Sequence, residues 1–406
     1  MDLDPSNADL AAPSKKDSTA PEGLEFHFAP DAKPLATPWQ VAVERAKLVR
    51  KCSLPKGLIL DPACGSGIQL AAYCAMMGRE GLGIELDEPT ARAAQANFLR
   101  VSKHGFDSSL LSSIIRVGDG RIGDGSKPIA MLHLDPARPR NSRLHGLDEM
   151  APKLPEIFEA WAPHLSEGEH GPAILLDLSP RLNQEQRDRV EAMVEDVWPE
   201  IGKTWVWMSR GRGRIDRLSL WLGQLSNPAV SRRFIRIPPD IKAKPIIVEG
   251  QGKPLPMTKR RPPRKGDQIS LLDAALVESG LADEWLEQVL PGQEVVWSVT
   301  EGRRPQIHHP EEFEFASKAQ NLLVQATGKI VKLAHTDLSE DKILLLVEAA
   351  REYGFGKLTL RVSLNPSLQP RLQGTLDRML SARGGPKSGF VAKTPGDSML
   401  LLCLVA

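Results

Sequence analysis

The residues best suited to bind a ligand lie near the start of the chain, where the stretch from Gly57 to Gly67 reads GLILDPACGSG. Apolar residues run into Asp61, and small residues and two glycines follow before the chain becomes apolar again. This pattern is typical of a buried strand that ends, turns tightly and opens a helix. Gly65 and Gly67 carry no Cβ, so a ligand can lie against the loop backbone and the first amides of the helix. The stretch predicts a nucleotide-like ligand, although an ordinary strand-to-helix turn has the same pattern.

An acidic residue stands where an α/β fold would bind a ribose. The apolar segment from Gly81 to Ile84 ends in Glu85, roughly 20 residues beyond the loop, which is the usual spacing for a carboxylate that accepts both ribose hydroxyls. The loop lacks the GxGxxG spacing, and it lacks the Lys-Ser/Thr pair of a phosphate loop. We therefore expect a nucleoside ligand without a pyrophosphate.

These segments resemble the nucleoside-binding motifs of class I S-adenosylmethionine-dependent methyltransferases, whose first motif has the form D-P-x-C/F-G-x-G. The resemblance implies that Asp61 and the backbone of Gly65 and Gly67 hold the methionine part of S-adenosylmethionine. It places Ala63 in the same cofactor-binding loop and Glu85 on the ribose.

Asp119 is a further candidate, because it follows the predicted third strand from Ile114 to Val117. The resemblance implies that its side chain lies beside the adenine. On its own, the sequence Gly-Asp-Gly at this place is more often a simple turn.

The candidate catalytic residues follow the predicted fourth strand, where the chain reads Asp135-Pro136-Ala137-Arg138. The carboxyl ends of the first and fourth strands of an open parallel sheet border one crevice, so Asp135 is expected to face the site beside Asp61. There Asp135 would hold or deprotonate the acceptor, and Arg138 would contact phosphate or base. Nucleic-acid methyltransferases of this class carry D/N-P-P-aromatic at this place. Ala137 and Arg138 depart from that pattern.

The elements that position these residues alternate between strands and helices, which predicts an α/β fold. We expect strands at 58–61, 81–84, 114–117, 129–134, 172–178, 203–208 and 217–222. The resemblance implies a Rossmann-like seven-stranded class I methyltransferase sheet of order 3-2-1-4-5-7-6. We assign this domain to residues 25–226. Residues 1–24, rich in Asp, Ser, Ala and Pro, are predicted to be a disordered tail.

Residues 227–300 are predicted to form a basic connector with short strands and a helix. The segment from Pro228 to Gln268 contains eleven Lys and Arg residues and three acidic residues. Its net charge is therefore +8, in a chain whose total is +1. Such a stretch is either a solvated linker or a surface that contacts a phosphate backbone, and the sequence leaves both open.

Residues 301–406 alternate between helix and strand, which favours a ferredoxin-like α+β domain. The Asp-Pro-Ala-Arg motif, the Leu178-Ser179-Pro180 turn and the closing run from Leu400 to Cys403 together resemble methyltransferases with a THUMP-like C-terminal domain. That resemblance implies RNA as the partner and RNA modification as the function.

Composition limits the remaining possibilities. The chain has 406 residues, 41% of them hydrophobic, and no apolar run approaches the roughly 18 residues that span a bilayer. The acidic N-terminus is not typical of a signal peptide, so we expect a cytoplasmic protein without a membrane partner. The cysteines have no metal-ligand spacing, so no metal is expected. None of them is placed as a nucleophile, which predicts direct methyl transfer to nitrogen or oxygen without a covalent adduct. The cysteines are Cys52, Cys64, Cys74 and Cys403.

Two alternatives stay open at this point. The altered fourth-strand motif is compatible with a catalytically silent RNA-binding protein that retains the fold. Because no residue of the first domain identifies the methyl acceptor, methylation of a protein or a small molecule is also compatible with the sequence.

Overall fold

The computed structural model describes residues 1–11, 14–29, 36–137, 146–259, 262–393 and 399–405. The chain forms two compact units. The first comprises Met1–Val206, Arg217–Ser231 and Pro239–Pro245, and the second comprises Trp207–Asp216, Arg232–Pro238 and Ile246–Ala406.

The first unit alternates strands and helices as the sequence predicted. Its strands are β1 (Asp2–Leu3), β2 (Ser14–Lys16), β3 (Glu25–His27), β4 (Leu58–Asp61), β5 (Gly81–Glu85), β6 (Ile114–Val117), β7 (Ile129–Leu134), β8 (Glu167–Gly168), β9 (Gly171–Pro172), β10 (Ile174–Leu178), β11 (Lys203–Ser209, whose last residues belong to the second unit) and β12 (Arg217–Leu222). Its helices are α1 (Trp39–Val49), α2 (Ile68–Met77), α3 (Glu88–Lys103), α4 (Leu154–Trp161) and α5 (Gln184–Glu195).

The sheet of this unit runs in the order β1-β6-β5-β4-β7-β10-β12-β11. Strands β6, β5, β4, β7 and β10 run parallel to one another, whereas β12 pairs with β10 in the antiparallel direction. The order from β6 to β11 is the predicted 3-2-1-4-5-7-6, so the α/β class I sheet is confirmed. All residues of β4 and β7 are buried, as expected for central parallel strands covered by helices on both faces.

The prediction of a disordered tail over residues 1–24 is corrected at its beginning. Strand β1 pairs with β6, and the amino group of Met1 donates a hydrogen bond to the Val117 carbonyl at 3.0 Å. Arg116 adds an ion pair to Asp2 at 2.7 Å. The physical reason is that β6 would otherwise present unpaired backbone groups, which a short segment of the same chain can satisfy.

The second unit contains a second sheet, a hairpin and the remaining helices. Its strands are β13 (Arg232–Arg236), β14 (Ile246–Gly250), β15 (Gln268–Leu272), β16 (Val296–Val299), β17 (Gln306–His309), β18 (Val324–Ala334), β19 (Phe355–Leu360), β20 (Lys387–Lys393) and β21 (Leu400–Leu404). Its helices are α6 (Ala274–Glu278), α7 (Ala282–Val289), α8 (Ile343–Glu352) and α9 (Leu368–Arg383).

The ferredoxin-like prediction for residues 301–406 is not confirmed, and nothing in the structure shows a THUMP-like domain. A ferredoxin-like chain reads β-α-β-β-α-β. Here the chain reads β17-β18-α8-β19-α9-β20-β21, and the sheet order is β16-β17-β15-β18-β21-β20-β19. Because α9 connects β19 to β20, these two strands run parallel, as a crossover connection requires. Leu346 of α8 and Leu372 and Leu376 of α9 pack in one apolar core on this sheet.

Among the described helices, none combines the length and the apolarity that crossing a bilayer requires.

Candidate functional site

The two glycines of the loop between β4 and α2 serve different purposes. Both have positive φ, +53° at Gly65 and +69° at Gly67. A Cβ at Gly67 would lie 2.9 Å from the Cβ of Ala94 on α3, so this glycine lets the loop pack against that helix. A Cβ at Gly65 would meet none of the described residues within 4 Å. Gly65 therefore borders open space, where a ligand can approach the backbone.

Glu85, at the end of β5, is joined to this loop. Its Oε2 accepts a hydrogen bond from the Gly65 amide at 3.0 Å, and its Oε1 accepts one from the Asp87 amide at 3.0 Å. The side chain is half-buried. Burial raises the pKa of Glu85, and the two amides oppose that shift. Each carboxylate oxygen can accept a further hydrogen bond, so Glu85 suits a pair of ribose hydroxyls beside Gly65.

The turn after β6 packs against the same loop. A Cβ at Gly120 would lie 1.9 Å from the Pro62 carbonyl oxygen, so only glycine permits this approach. Asp119 pairs with Arg121 at 2.7 Å, and the hydrogen bonds from Arg121 lower the pKa of Asp119. The structure thus brings the Asp119 turn, the Gly65 loop and Glu85 to one edge of the sheet. Arg121 is a partner of Asp119 that the sequence did not reveal.

Two large apolar side chains at this edge are exposed. Leu86, directly after Glu85, has a relative exposure of 75%, and Ile122, in the turn after Asp119, has 69%. Glu85 and Val117 are partners in the pairing of β5 with β6, so the two turns that carry these side chains follow neighbouring strands.

Asp61 is buried and engaged within the protein. Its Oδ1 accepts a hydrogen bond from the Ala63 amide at 3.1 Å, and its Oδ2 lies 2.7 Å from Nδ1 of His133 on β7. On the other side of the ring, His133 Nε2 lies 3.2 Å from Oδ2 of Asp177 on β10. Asp61 therefore shapes the start of the loop. A direct contact between Asp61 and the methionine part stays a prediction.

The buried chain of polar groups continues into two helices. Asp177 Oδ1 pairs with Arg45 of α1 at 2.6 Å, and Arg45 Nη1 donates to Oε1 of Gln69 in the first turn of α2 at 3.1 Å. We name Asp61, His133, Asp177 and Arg45 the buried charge chain. Sequence reasoning missed its last three members. A signal was available in the runs IAMLHL and ILLDL, where a single polar residue interrupts an otherwise apolar strand.

The charged groups of the buried charge chain stabilise one another's charged forms. Burial would lower the pKa of His133, but Asp61 and Asp177 outweigh it and raise the pKa to about 9. Burial would raise the pKa of Asp177, but Arg45 and His133 hold it well below its usual range. Burial likewise opposes the charge of Arg45, yet Asp177 holds its pKa above the usual value. His133 is therefore an imidazolium at neutral pH, between two carboxylates.

Comparisons with known proteins agree with this fold. No protein-family model and no curated protein matches the chain. Among solved structures, a candidate methyltransferase from Porphyromonas gingivalis W83 superposes with a TM-score of 0.59 at 15% identity, covering 93% of this chain and 82% of the other. At this identity the likeness shows the fold alone, which is that of a methyltransferase.

Two further structures are similar over about half of the chain. One is a candidate class I S-adenosylmethionine-dependent methyltransferase from Listeria monocytogenes (TM-score 0.35, 14% identity, 53% of this chain and 65% of the other). The other is the 16S rRNA N2 G1207 methyltransferase of T. thermophilus in complex with AdoMet and guanosine (TM-score 0.34, 17% identity, 52% and 49%).

Within the methyltransferase fold, Asp135 follows β7 and is half-buried. Its charge contributes to raising the pKa of both Arg45 and Tyr73, although burial is the main cause for Tyr73. Asp135 therefore lies within electrostatic range of the buried charge chain. Arg138, the second predicted catalytic residue, lies outside the described residues.

Some arginines of the predicted basic connector form ion pairs within the second unit. Arg236 is buried and lies 3.4 Å from Asp273, and Arg233 pairs with Glu249. By contrast, Lys259, Arg264 and Lys265 are exposed. The connector is therefore divided between arginines that hold the fold and cations that face solvent.

Another cationic feature of the second unit surrounds Tyr353. The ammonium groups of Lys265 and Lys332 lie 5.4 Å and 5.3 Å from the centroid of its ring. Within the described part of the chain, no group of three or more His, Cys, Asp or Glu side chains is arranged to hold a metal ion.

Proposed function

We propose that this protein is an S-adenosylmethionine-dependent methyltransferase that transfers a methyl group to a nitrogen or oxygen of RNA. The observation that carries the proposal is the junction of Glu85 and Gly65. A half-buried carboxylate accepts the amide of a glycine whose Cβ position opens to free space, at the carboxyl edge of a methyltransferase-fold sheet. Such an edge is where open α/β sheets bind their ligands.

The residues at this edge fit the cofactor. Glu85 has acceptor capacity for the ribose hydroxyls, and Gly65 allows the ligand to approach the loop backbone. Leu86 and Ile122 offer apolar surface to a flat base, since an exposed apolar pair beside polar groups is typical of a ligand site. Asp119 is proposed on the adenine side, as the sequence suggested.

The bound cofactor supplies a methyl group that is already activated by a sulfonium. The protein then has to align the acceptor with that methyl group, and positioning of this kind contributes much of a rate enhancement. We assign this role to Asp135, which would hold the acceptor and take up its proton. Arg138 is proposed to contact phosphate or base.

The state of the cysteines favours direct transfer. Burial raises the pKa of Cys64 and Cys403 well above the usual value and that of Cys74 to about 12. A thiol acts as a nucleophile only as its thiolate. A covalent intermediate on Cys64, Cys74 or Cys403, of the kind needed to methylate a ring carbon, is therefore not favoured.

RNA is proposed as the acceptor because cations gather on the surface of the second unit. Lys259, Arg264 and Lys265 are exposed, and two lysines approach Tyr353. A catalytically silent RNA-binding protein is the second candidate, since Ala137 departs from the pattern of nucleic-acid methyltransferases. A protein or small-molecule methyltransferase is the third.

A transfer assay separates these candidates. The purified protein is incubated with radiolabelled S-adenosylmethionine and either total RNA or protein extract, both from a strain that lacks this gene. We expect label in RNA and none in protein. RNA from the parent strain should accept little label, since its sites are already methylated. Label in protein alone would contradict the RNA assignment, and binding of the cofactor without any transfer would favour the silent protein.

A salt titration tests the cationic surface. Replacing Lys259, Arg264 and Lys265 by Ser should flatten the dependence of RNA affinity on salt by about 0.7 in log-log slope for each phosphate that the variant no longer neutralises, as is typical of single strands. Cofactor affinity should not change. The matched control replaces Arg233 and Lys253, whose charges are paired with Glu249 and Glu287. An unaltered slope in the first variant would show that the segment is a solvated linker.

A further inference from the structure

The cofactor loop is held at both of its ends by the buried charge chain. At its start, Asp61 accepts the Ala63 amide and contacts His133. At its end, Gln69 lies in the first turn of α2 and accepts a hydrogen bond from Arg45 at 3.1 Å. Gln69 also donates to the Ala42 carbonyl of α1 at 3.2 Å. The polar contacts on both sides of the loop therefore lead back to helix α1.

We propose that the buried charge chain sets the loop from Asp61 to Gly67 in its cofactor-binding conformation, with His133 and Arg45 as positioning residues. This inference rests on the proposed function. The Ala63, Cys64 and Gly65 amides belong to the loop, and they donate to Asp61, to the Ile84 carbonyl and to Glu85 respectively. A shift of Asp61 would therefore disturb the amide that Glu85 holds.

The position of His133 explains why a charged residue is buried in a central strand. Burying an ion is costly unless it is paired and hydrogen-bonded. Here the imidazolium donates from Nδ1 to Asp61 on one neighbouring strand and from Nε2 to Asp177 on the other. The two hydrogen bonds of His133 thus link three adjacent strands, β4, β7 and β10. Strand β4 leads directly into the loop. An apolar residue in place of His133 would remove one donor from each carboxylate, leaving Asp61 with the Ala63 amide and Asp177 with Arg45.

The groups that face this imidazolium decide its response to pH. Asp61 on β4 and Asp177 on β10 contact it, and the Tyr73 ring of α2 packs edge-on at 5.3 Å. Arg45 of α1 and Arg217 of β12 act on it through Asp177. The folded pKa of about 9 lies above the usual 6.5. The stabilisation from His133 is therefore complete below pH 6.5 and is lost as pH rises through 9.

Two substitutions distinguish the two bonds of His133. In His133→Asn the amide nitrogen takes the place of Nδ1 and can still donate to Asp61. In His133→Gln the amide nitrogen takes the place of Nε2, so the bond to Asp177 is kept and the bond to Asp61 is removed. We expect His133→Gln to weaken binding of S-adenosylmethionine by about tenfold or more, the usual scale for a hydrogen bond to a charged group. His133→Asn should bind more nearly as the wild type does.

Hydrogen exchange reports on the loop without the cofactor. In the absence of ligand, the Ala63 and Gly65 amides should exchange faster in His133→Gln than in His133→Asn. Equal loss of protection in both variants, or no loss in either, would contradict the route through Asp61. If the wild type does not bind the cofactor, the proposed function fails, whereas exchange at these amides still tests the positioning role.

The wild type offers a test should the variants fold poorly. Its loop amides should stay protected from pH 7 to 8 and lose protection as pH rises through about 9. Loop amides that are unprotected at pH 7 to 8, in the folded protein, would overturn the inference.

Discussion

Replacing Asp135 by Ala should remove methyl transfer while leaving both ligands bound. The variant can neither hold the acceptor nor take up its proton, and the loss of a positioned acid-base group typically lowers the rate by about 10²- to 10⁴-fold. Cofactor and RNA affinities should change little, because Asp135 is assigned only to the point where acceptor and methyl group meet. Single-turnover transfer to RNA is the measurement.

The control for this prediction is Asp188→Ala. Asp188 is an exposed carboxylate on α5 that accepts a hydrogen bond from Gln184, and it has no part in the site. Its variant should transfer methyl groups at the wild-type rate. A variant at Asp135 that keeps full activity would show that the acceptor is held elsewhere.

The largest effect on stability is expected from Arg45→Met. The Arg45–Asp177 pair is 2.6 Å long and its side chains are 0% and 2% exposed. Removing one partner leaves a buried charge without compensation, which typically costs about 3–5 kcal/mol. Denaturant unfolding of the full chain should show this destabilisation as a lower denaturant concentration at the midpoint of unfolding of the first unit. Binding of the cofactor should weaken as well.

A surface pair of the same length serves as the control. Arg92 and Glu88 lie 2.7 Å apart on α3, with side chains 56% and 50% exposed. Exposed pairs contribute less than about 1 kcal/mol, so Arg92→Met should leave the unfolding midpoint nearly unchanged. Similar shifts of the unfolding midpoint in Arg45→Met and Arg92→Met would mean that water reaches the Arg45–Asp177 pair more than its geometry implies.

The local pattern of the sequence predicted the alternation of strands and helices because these elements are strongly periodic, whereas the strand order came from the resemblance to class I methyltransferases. Apolar strands that alternate with helices specify parallel pairing, and the spacing from the loop to Glu85 placed that carboxylate beside Gly65. In the second unit, the alternation of helices and strands was recognised towards the C-terminus, in strands β18 to β21 and helices α8 and α9. The ferredoxin-like arrangement is not confirmed there, and strand periodicity alone does not determine which strand is the neighbour or in which direction it runs.

The buried charge chain could not be predicted because its members meet only in the folded protein. Arg45 and Asp177 are 132 residues apart in the chain. The same limit applies to Gly67, since the need for glycine arises from Ala94 on another helix rather than from the ligand. Strand β1 has only two residues, too few for any period, and its pairing depends on the free edge of β6.

The central claim is that the cofactor lies against the Gly65 loop, and calorimetry on two glycine variants tests it most directly. Gly65 and Gly105 both have positive φ, and a Cβ at either would meet none of the described residues within 4 Å. Gly105 follows the C-terminus of α3, which at 1.5 Å per residue is about 24 Å from its N-terminus near Glu85. Both substitutions by Val therefore put a side chain at a position of positive φ, +53° at Gly65 and +93° at Gly105, and they differ in place.

Titration with the demethylated product of S-adenosylmethionine should show binding to the wild type and to Gly105→Val with similar affinity. Gly65→Val should bind at least about tenfold more weakly, a loss of about 1.4 kcal/mol, because its side chain fills the space assigned to the ligand. Wild-type affinity in Gly65→Val, or no binding to the wild type, would contradict the assignment of this loop as the cofactor site.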